Sequence, residues 1–357
     1  MIKVGIIGAG GYAGQTLISI LLRHPEAEIV WLMSEEAHKG KKIADLYPHL
    51  SGEIGLSCQT LDDLDKVLKK VDLVFLALPH GIAINHVPKI IDAGKKVVDL
   101  GADYRFSDNA VFKKWYGIEH STDKYLKQAV FGLPELYRSE IKKTNFVANP
   151  GCYPTASILG LAPLVKNKLI DFDSIIVDAK SGVTGAGRGI SLKTHYCERN
   201  EGIEAYAVTN HRHMGEIEYQ ISKISGNQIN VTFVPHLTPM NRGILATIYA
   251  KLKMPARPAG GQNAKLKINE LNQLYKEFYK GEPFVRIFED KVPNTKYVSG
   301  TNYCDIAIQV NEATGKAIVL SAIDNLVKGA AGQAVQNMNL ICGFEETAGL
   351  KEMALYP

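Results

Sequence analysis

The sequence predicts an α/β protein of two domains, a doubly wound parallel sheet followed by an α+β domain on a mixed or antiparallel sheet. Three observations carry this. Apolar runs at 3–7, 28–33, 73–78, 96–100 and 145–148 alternate with helical stretches, the pattern of parallel strands with helices on both faces. A glycine-rich turn, Gly8-Ala9-Gly10-Gly11-Tyr12-Ala13-Gly14, separates the first strand from a helix near 16–22. Beyond residue 152 five strand-like runs crowd together with few helices between them.

The chain of 357 residues is long enough for two such domains, placed at 1–151 and 152–324, with a C-terminal helix in 325–357 returning to the first. A hydrophobic content of 46% against 22% charged, with no unbroken apolar run long enough for a bilayer, argues against membrane insertion. The first residues enter a strand without the zones of a signal peptide, so a cytoplasmic location is expected. Five cysteines are scattered without CxxC spacing, which suggests neither a disulfide framework nor a zinc site, and no metal is expected. A net charge of +4 with both signs interspersed gives no reason to expect a nucleic-acid partner.

Taken in order, strand 3–7, the glycine turn and the following helix form the context that a dinucleotide fingerprint requires, in a Rossmann-type domain. Gly8 and Gly10 permit the tight turn and close approach of a pyrophosphate, and Ala13 or Gly14 lets helix and strand pack closely. Gly11 and Tyr12 complete this cofactor-binding set at the helix N-terminus. The next strand ends at Ser34, where the adenine ribose is read. Ser34 and Lys39 suit a 2′-phosphate and Glu35 and Glu36 a free 2′-hydroxyl, so the residues leave NAD and NADP both open. Helices are expected near 82–93 and 139–143. The run 99–106 leaves a strand at its carboxyl end, where open α/β sheets bind ligands, and makes Arg105 a candidate for a substrate anion or a structural ion pair.

In Asn149-Pro150-Gly151-Cys152-Tyr153-Pro154-Thr155, Pro150 and Gly151 force a turn, and an apolar helical run follows. Cys152 therefore lies within a turn of a helix N-terminus, where unsatisfied N–H groups and the helix dipole favour the thiolate. The other reading is a small buried residue. The second domain has strands expected at 174–180, 230–235, 243–250, 303–310 and 316–323, helices at 216–224 and 268–279, and a surface loop at 255–261. A small-residue helix over 325–340 closes the pattern.

A cofactor domain followed by a helix-mouth cysteine suggests hydride transfer through a thioester, which needs a proton carrier. His211 and His213, in Thr209-Asn210-His211-Arg212-His213, are candidates. A second glycine-rich loop over 180–188 holds Ser181 and Gly182, which could face a phosphate or the nicotinamide. Arg242 could hold a carboxylate bidentately.

Seven stretches in order resemble the N-acetyl-gamma-glutamyl-phosphate reductases, arginine-pathway relatives of the aspartate-semialdehyde dehydrogenases. They are 8–14, Leu78-Pro79-His80-Gly81, 99–106, 149–155, 180–188, His211-Arg212-His213 and 324–330. The resemblance implies an NADP-dependent acyl-phosphate reductase of arginine biosynthesis. It would reduce N-acetyl-gamma-glutamyl phosphate to the semialdehyde with release of phosphate, as a homo-oligomer (dimer or tetramer). It makes Cys152 the nucleophile and His213 the acid/base, with His211 second. It places Asn149, Arg105, Tyr206 and Arg242 at the substrate, and Ser181, Gly182 and Asn325 at the nicotinamide end of the cofactor, while Ser34 remains the cofactor-binding candidate at the ribose. One departure is Gly215, where the family usually has proline. Two alternatives stand beside this reading. One is the same chemistry on an aspartyl or carrier-linked aminoadipyl phosphate; the other is a dinucleotide sensor without chemistry.

Overall fold

Parallel strands need crossovers, and the first half of the chain supplies them as helices between short apolar runs. The computed structural model describes residues 1–253 and 268–356, so the loop expected at 255–261 lies outside the described residues. The chain divides into two units. The first is Met1–Gly151, Gly187–Gly189 and Leu326–Met353; the second is Cys152–Ala186, Ile190–Asn325 and Ala354–Pro357.

The first unit carries a wholly parallel seven-stranded sheet. Its strands are β1 (Ile2–Ile7), β2 (Ala27–Met33), β3 (Cys58–Gln59), β4 (Leu73–Leu76), β5 (Lys96–Asp99), β6 (Val130–Phe131) and β7 (Phe146–Ala148), in the order β3-β2-β1-β4-β5-β7-β6. The chain reverses direction across the sheet between β1 and β4, the switch point at which such sheets bind ligands. Every side chain of β4 and of β7 is buried, as strands covered on both faces require. At about 1.5–3 kcal/mol for each large apolar side chain, Val74, Phe75 and Leu76 anchor the centre of the sheet. The helix Tyr12–Leu21 packs on this sheet at very short range, because a Cβ on Gly14 would lie 2.2 Å from the Gly8 carbonyl oxygen. The helix expected near 139–143 instead runs Pro134–Ile141, since Pro134 suits a first helical turn. At the C-terminal end a π-helical turn, Val327–Ala331, leads into the helix Gly332–Cys342, which stops at Gly343 in the left-handed conformation (φ 74°).

The second unit has a seven-stranded mixed sheet of β8 (Ile176–Gly182), β9 (Glu204–Ala205), β10 (Thr232–Thr238), β11 (Ile244–Lys251), β12 (Val285–Phe288), β13 (Cys304–Asn311) and β14 (Lys316–Ile323). The order is β12-β13-β14-β11-β8-β10-β9, with β8–β10 and β12–β13 parallel and the remaining pairs antiparallel. Burial alternates along β8, β10, β11 and β14, so one face is a core face and the other is half-exposed. The helices Cys152–Lys166 and Ile268–Phe278 pack against the sheet. Pro163 lies inside the first of these and has no N–H to offer the Leu159 carbonyl four residues back. The Tyr279 hydroxyl replaces that donor at 2.5 Å, and Tyr275 donates to the neighbouring Gly160 carbonyl at 2.6 Å.

Candidate active site

The helix of the second unit begins at Cys152 itself, directly after the turn Asn149-Pro150-Gly151 that follows β7. Its thiol is therefore on the first residue of a fifteen-residue helix, where the backbone N–H groups have no intrahelical acceptor. Cys152 is partly exposed. Two other thiols are held toward the protonated form: burial pushes Cys342 up to about 11, and burial together with Asp45 raises Cys58.

Around Tyr153, the residue after Cys152, the second unit assembles an aromatic cluster. Tyr153 is 2% exposed and meets His211 and His213 edge-on, at ring separations of 5.6 and 5.9 Å, and Phe233 at 5.3 Å. Tyr206 meets His211 at 5.4 Å. The hydroxyls run in one direction: Tyr206 donates to Tyr153 at 3.3 Å, and Tyr153 donates to the His236 carbonyl at 3.2 Å. Burial raises both phenols, Tyr206 to about 12, so both remain protonated donors.

The two histidines differ in what holds them. His211 is the N-cap of the helix Arg212–Ser225, and its Nδ1 accepts the His213 backbone N–H at 3.1 Å. That bond requires a lone pair on Nδ1. Burial, then the Arg212 charge, lowers His211 to about 4, so the ring is neutral near pH 7. His213 is the second residue of the same helix, in the first turn at its positive end, with its ring centre 4.9 Å from that of His211.

The remaining candidates of the second unit form another cluster. The Asn325 amide accepts from the Gly243 N–H at 2.7 Å and donates to Thr184 Oγ1 at 2.9 Å, and Thr184 donates to the Asn241 carbonyl at 2.6 Å. Gly182 follows Ser181 at the end of β8, where a Cβ would lie 2.6 Å from the Asn241 carbonyl oxygen. Arg242, a third exposed, points one guanidinium nitrogen at buried Asp324 at 3.5 Å.

In the first unit Gly8 has φ +93° and its Cβ position lies 2.3 Å from the Ala77 carbonyl oxygen, a place only glycine can take. The Gly8 and Ala9 N–H groups donate to the Met33 carbonyl and close the turn. Gly11 caps the helix Tyr12–Leu21 with no side-chain bond, so the first-turn N–H groups remain for an anion. These features fit the pyrophosphate of a dinucleotide. Ser34, the residue after β2, is 3% exposed, and its Oγ lies 3.0 Å from His38 Nδ1. On the far side of the sheet's switch point Arg105, 7% exposed, donates to the Asn149 and Leu100 carbonyls, both at 2.8 Å. Asn149 in turn donates to the Ala330 carbonyl at 3.1 Å and accepts from Asn337 at 3.0 Å. These bonds brace the strand end that precedes Cys152. Nearby, burial, then Asp103, raises Asp99 to about 7.

Residues 3–144 match the model of the semialdehyde dehydrogenase NAD binding domain, and residues 152–325 that of the semialdehyde dehydrogenase dimerisation domain. The chain belongs to the semialdehyde dehydrogenase family. Within it the similarity is to N-acetyl-gamma-glutamyl-phosphate reductases. That of Pelotomaculum thermopropionicum is 51% identical over all of this chain and 99% of its own length, and that of Desulforudis audaxviator 50% identical over the whole of both. Among solved structures, aspartate semialdehyde dehydrogenase II of Vibrio cholerae superposes with a TM-score of 0.71 over 96% of this chain and 98% of its own. The Candida albicans aspartate semialdehyde dehydrogenase crystallised with NADP gives 0.69 over the same shares. Identities of 16% and 18% make these a likeness of fold. Sequence reasoning did not single out Tyr153, whose role depends on Tyr206, His211 and Phe233 arriving from distant positions. Nor does the sequence show that Tyr47, and Arg188 of the 180–188 loop, lie beside the first glycine turn.

Proposed function

We infer that this chain reduces N-acetyl-gamma-glutamyl phosphate to the semialdehyde with release of phosphate, using NADPH, as a step of arginine biosynthesis. The observation that carries this is Cys152 on the first residue of a helix, in a chain about half identical end to end to reductases of that name. The first unit serves as the cofactor domain and the second as the catalytic domain. The Cys152 thiolate attacks the acyl carbon, phosphate leaves with the electron pair of the broken C–O bond, and the acyl group stays on sulfur as a thioester. NADPH, when bound, supplies the hydride that takes the acyl group to the aldehyde level. His213 moves the proton at the substrate carbonyl oxygen, because His211 commits its Nδ1 lone pair to the helix cap and stays neutral. The glycine turn, with Ser34, Ser181, Gly182 and Asn325, belongs to the cofactor. Tyr206, Arg242, Asn149 and Arg105 belong to the substrate, the last two by fixing backbone. The match to a dimerisation domain supports a homo-oligomer, and among the described residues no helix is long and apolar enough to cross a membrane. A cytoplasmic location accords with a biosynthetic role.

The test uses the reverse reaction. Cys152→Ser should abolish phosphate-dependent NADP⁺ reduction by N-acetylglutamate semialdehyde, while calorimetry still shows NADP⁺ binding. Near-normal turnover in that variant overturns the thioester route. Turnover preferring an aspartyl or other free-amino semialdehyde overturns the substrate.

A further inference from the structure

The glycine turn carries a cation whose purpose the reaction scheme leaves open. Gly187–Gly189 clusters with the first unit, although its neighbours on either side in sequence belong to the second. Arg188 of this segment donates from Nη1 to the Gly10 carbonyl at 3.2 Å, and its guanidinium lies 4.8 Å from the centre of the Tyr47 ring. The Tyr47 hydroxyl donates to the same carbonyl at 2.8 Å. Arg188 is exposed, and among the described residues no carboxylate lies within ion-pairing distance of it. A guanidinium held by stacking and one hydrogen bond, with no anion of its own, is preorganised to receive one.

What surrounds Gly10 indicates which anion. A Cβ on Gly10 would lie 2.4 Å from Ser34 Oγ and 3.4 Å from His38 Nδ1, so both side chains border the residue whose carbonyl Arg188 holds. Ser34 follows β2, the position from which the ribose 2′ substituent is read. A carboxylate there would repel a phosphate; a hydroxyl does not. Lys39, the nearer cation in sequence, already lies 3.3 Å from Glu36 and 3.9 Å from Asp62. The pyrophosphate already has the uncapped N-terminus of the helix Tyr12–Leu21 to meet it.

We propose that Arg188, together with Ser34 and His38, binds the 2′-phosphate of NADP(H) and sets the preference over NAD(H). The proposal rests on the NADP reading above. Arg188 supplies a planar fork that matches phosphate, Tyr47 keeps the fork in place, and Ser34 and His38 complete the rim.

The experiment is isothermal titration of NADP⁺, NAD⁺, 2′-AMP and 5′-AMP into the wild-type protein, Arg188→Gln and Arg188→Lys. Thermal melts of the unliganded proteins confirm that this exposed substitution leaves them folded. Arg188→Gln should weaken NADP⁺ and 2′-AMP by about 10- to 100-fold, the worth of a charge-assisted bidentate pair, and leave NAD⁺ and 5′-AMP within about twofold. Arg188→Lys should recover part of the loss, since charge returns without the fork. Equal weakening of NADP⁺ and NAD⁺ would assign Arg188 to the glycine turn itself and overturn the proposal, as would no weakening of either. If the wild-type protein binds NAD⁺ as tightly as NADP⁺, the NADP reading itself fails, and that result comes before any variant is made.

Discussion

Replacing Lys328 by methionine should destabilise the first unit strongly, by orphaning a buried carboxylate. Lys328 and Glu135 have fully buried side chains, and the Lys328 ammonium donates to Glu135 Oε1 at 2.6 Å and to Gln336 Oε1 at 2.9 Å. Gln336 passes its own amide N–H to Glu346 at 2.8 Å, and Arg138 grips Glu346 through Nε at 2.9 Å and Nη2 at 3.1 Å. Methionine keeps the volume and removes the charge, so Glu135 is left as a buried carboxylate whose Oε2 already has no partner. Breaking one side of a buried pair costs about 3–5 kcal/mol, whereas replacing both sides by apolar residues is close to neutral. For a unit of this size that single loss corresponds to about 2–4 °C of melting temperature per kcal/mol. Urea unfolding followed by tryptophan fluorescence reads this unit selectively, because the chain's two tryptophans, Trp31 and Trp115, both belong to it. Lys328→Met should lower the midpoint strongly, and Lys328→Met with Glu135→Leu should return most of it. A single variant costing under about 1 kcal/mol, or a double variant no better than the single, would refute the reasoning that an orphaned buried charge dominates.

Other expectations follow from the second unit. Tyr279→Phe leaves the Leu159 carbonyl without a donor and should cost about 1–3 kcal/mol in thermal or urea unfolding. Adding Pro163→Ala, which restores an N–H, should recover part of it, and a silent Tyr279→Phe would show that the carbonyl finds another donor. His211→Asn should keep much of the activity, since asparagine also caps a helix, while His211→Ala should lose about 1 kcal/mol of stability. His211 falls from 6.5 to about 4 on folding, so the unfolded chain binds the extra proton. Its contribution to stability is complete above about pH 6.5 and declines as pH falls toward 4, a slope that His211→Asn should remove. Persistence of that slope in the variant would place its origin elsewhere.

What the sequence made legible was local. The glycine turn and the cysteine at the mouth of its helix depend on residues a few positions apart, and both stand where the spacing of turn and apolar residues puts them. The strand expected at 316–323 coincides with β14 to the residue, because alternation and flanking turn residues mark both ends. Pairing was less accessible. That β8 lies parallel to β10, and β12 to β13, depends on contacts over long separations, and the two-residue strands β3, β6 and β9 are too short to show alternation. Asn325 was read for the nicotinamide from resemblance alone, while its bonds to Gly243 and Thr184 come from segments far away in the chain. Arg188 stands in the 180–188 loop, but its place beside the first glycine turn is not legible there, since its carbonyl partner is 178 residues upstream.

The burial of Glu135 against Lys328 also sets an order of events in synthesis. The two residues are 193 positions apart, so at ordinary elongation rates the ribosome needs about 10 to 40 s between making the carboxylate and making its cation. During that interval the helix Pro134–Ile141 cannot bury its acid, and Asn149 waits likewise for Asn337. The strands of the second unit, the last of them ending at Ile323, are all made by then, and only its short final segment from Ala354 is still to come. In time, then, the domain that opens the chain receives its buried cation only after the strands of the second have been made.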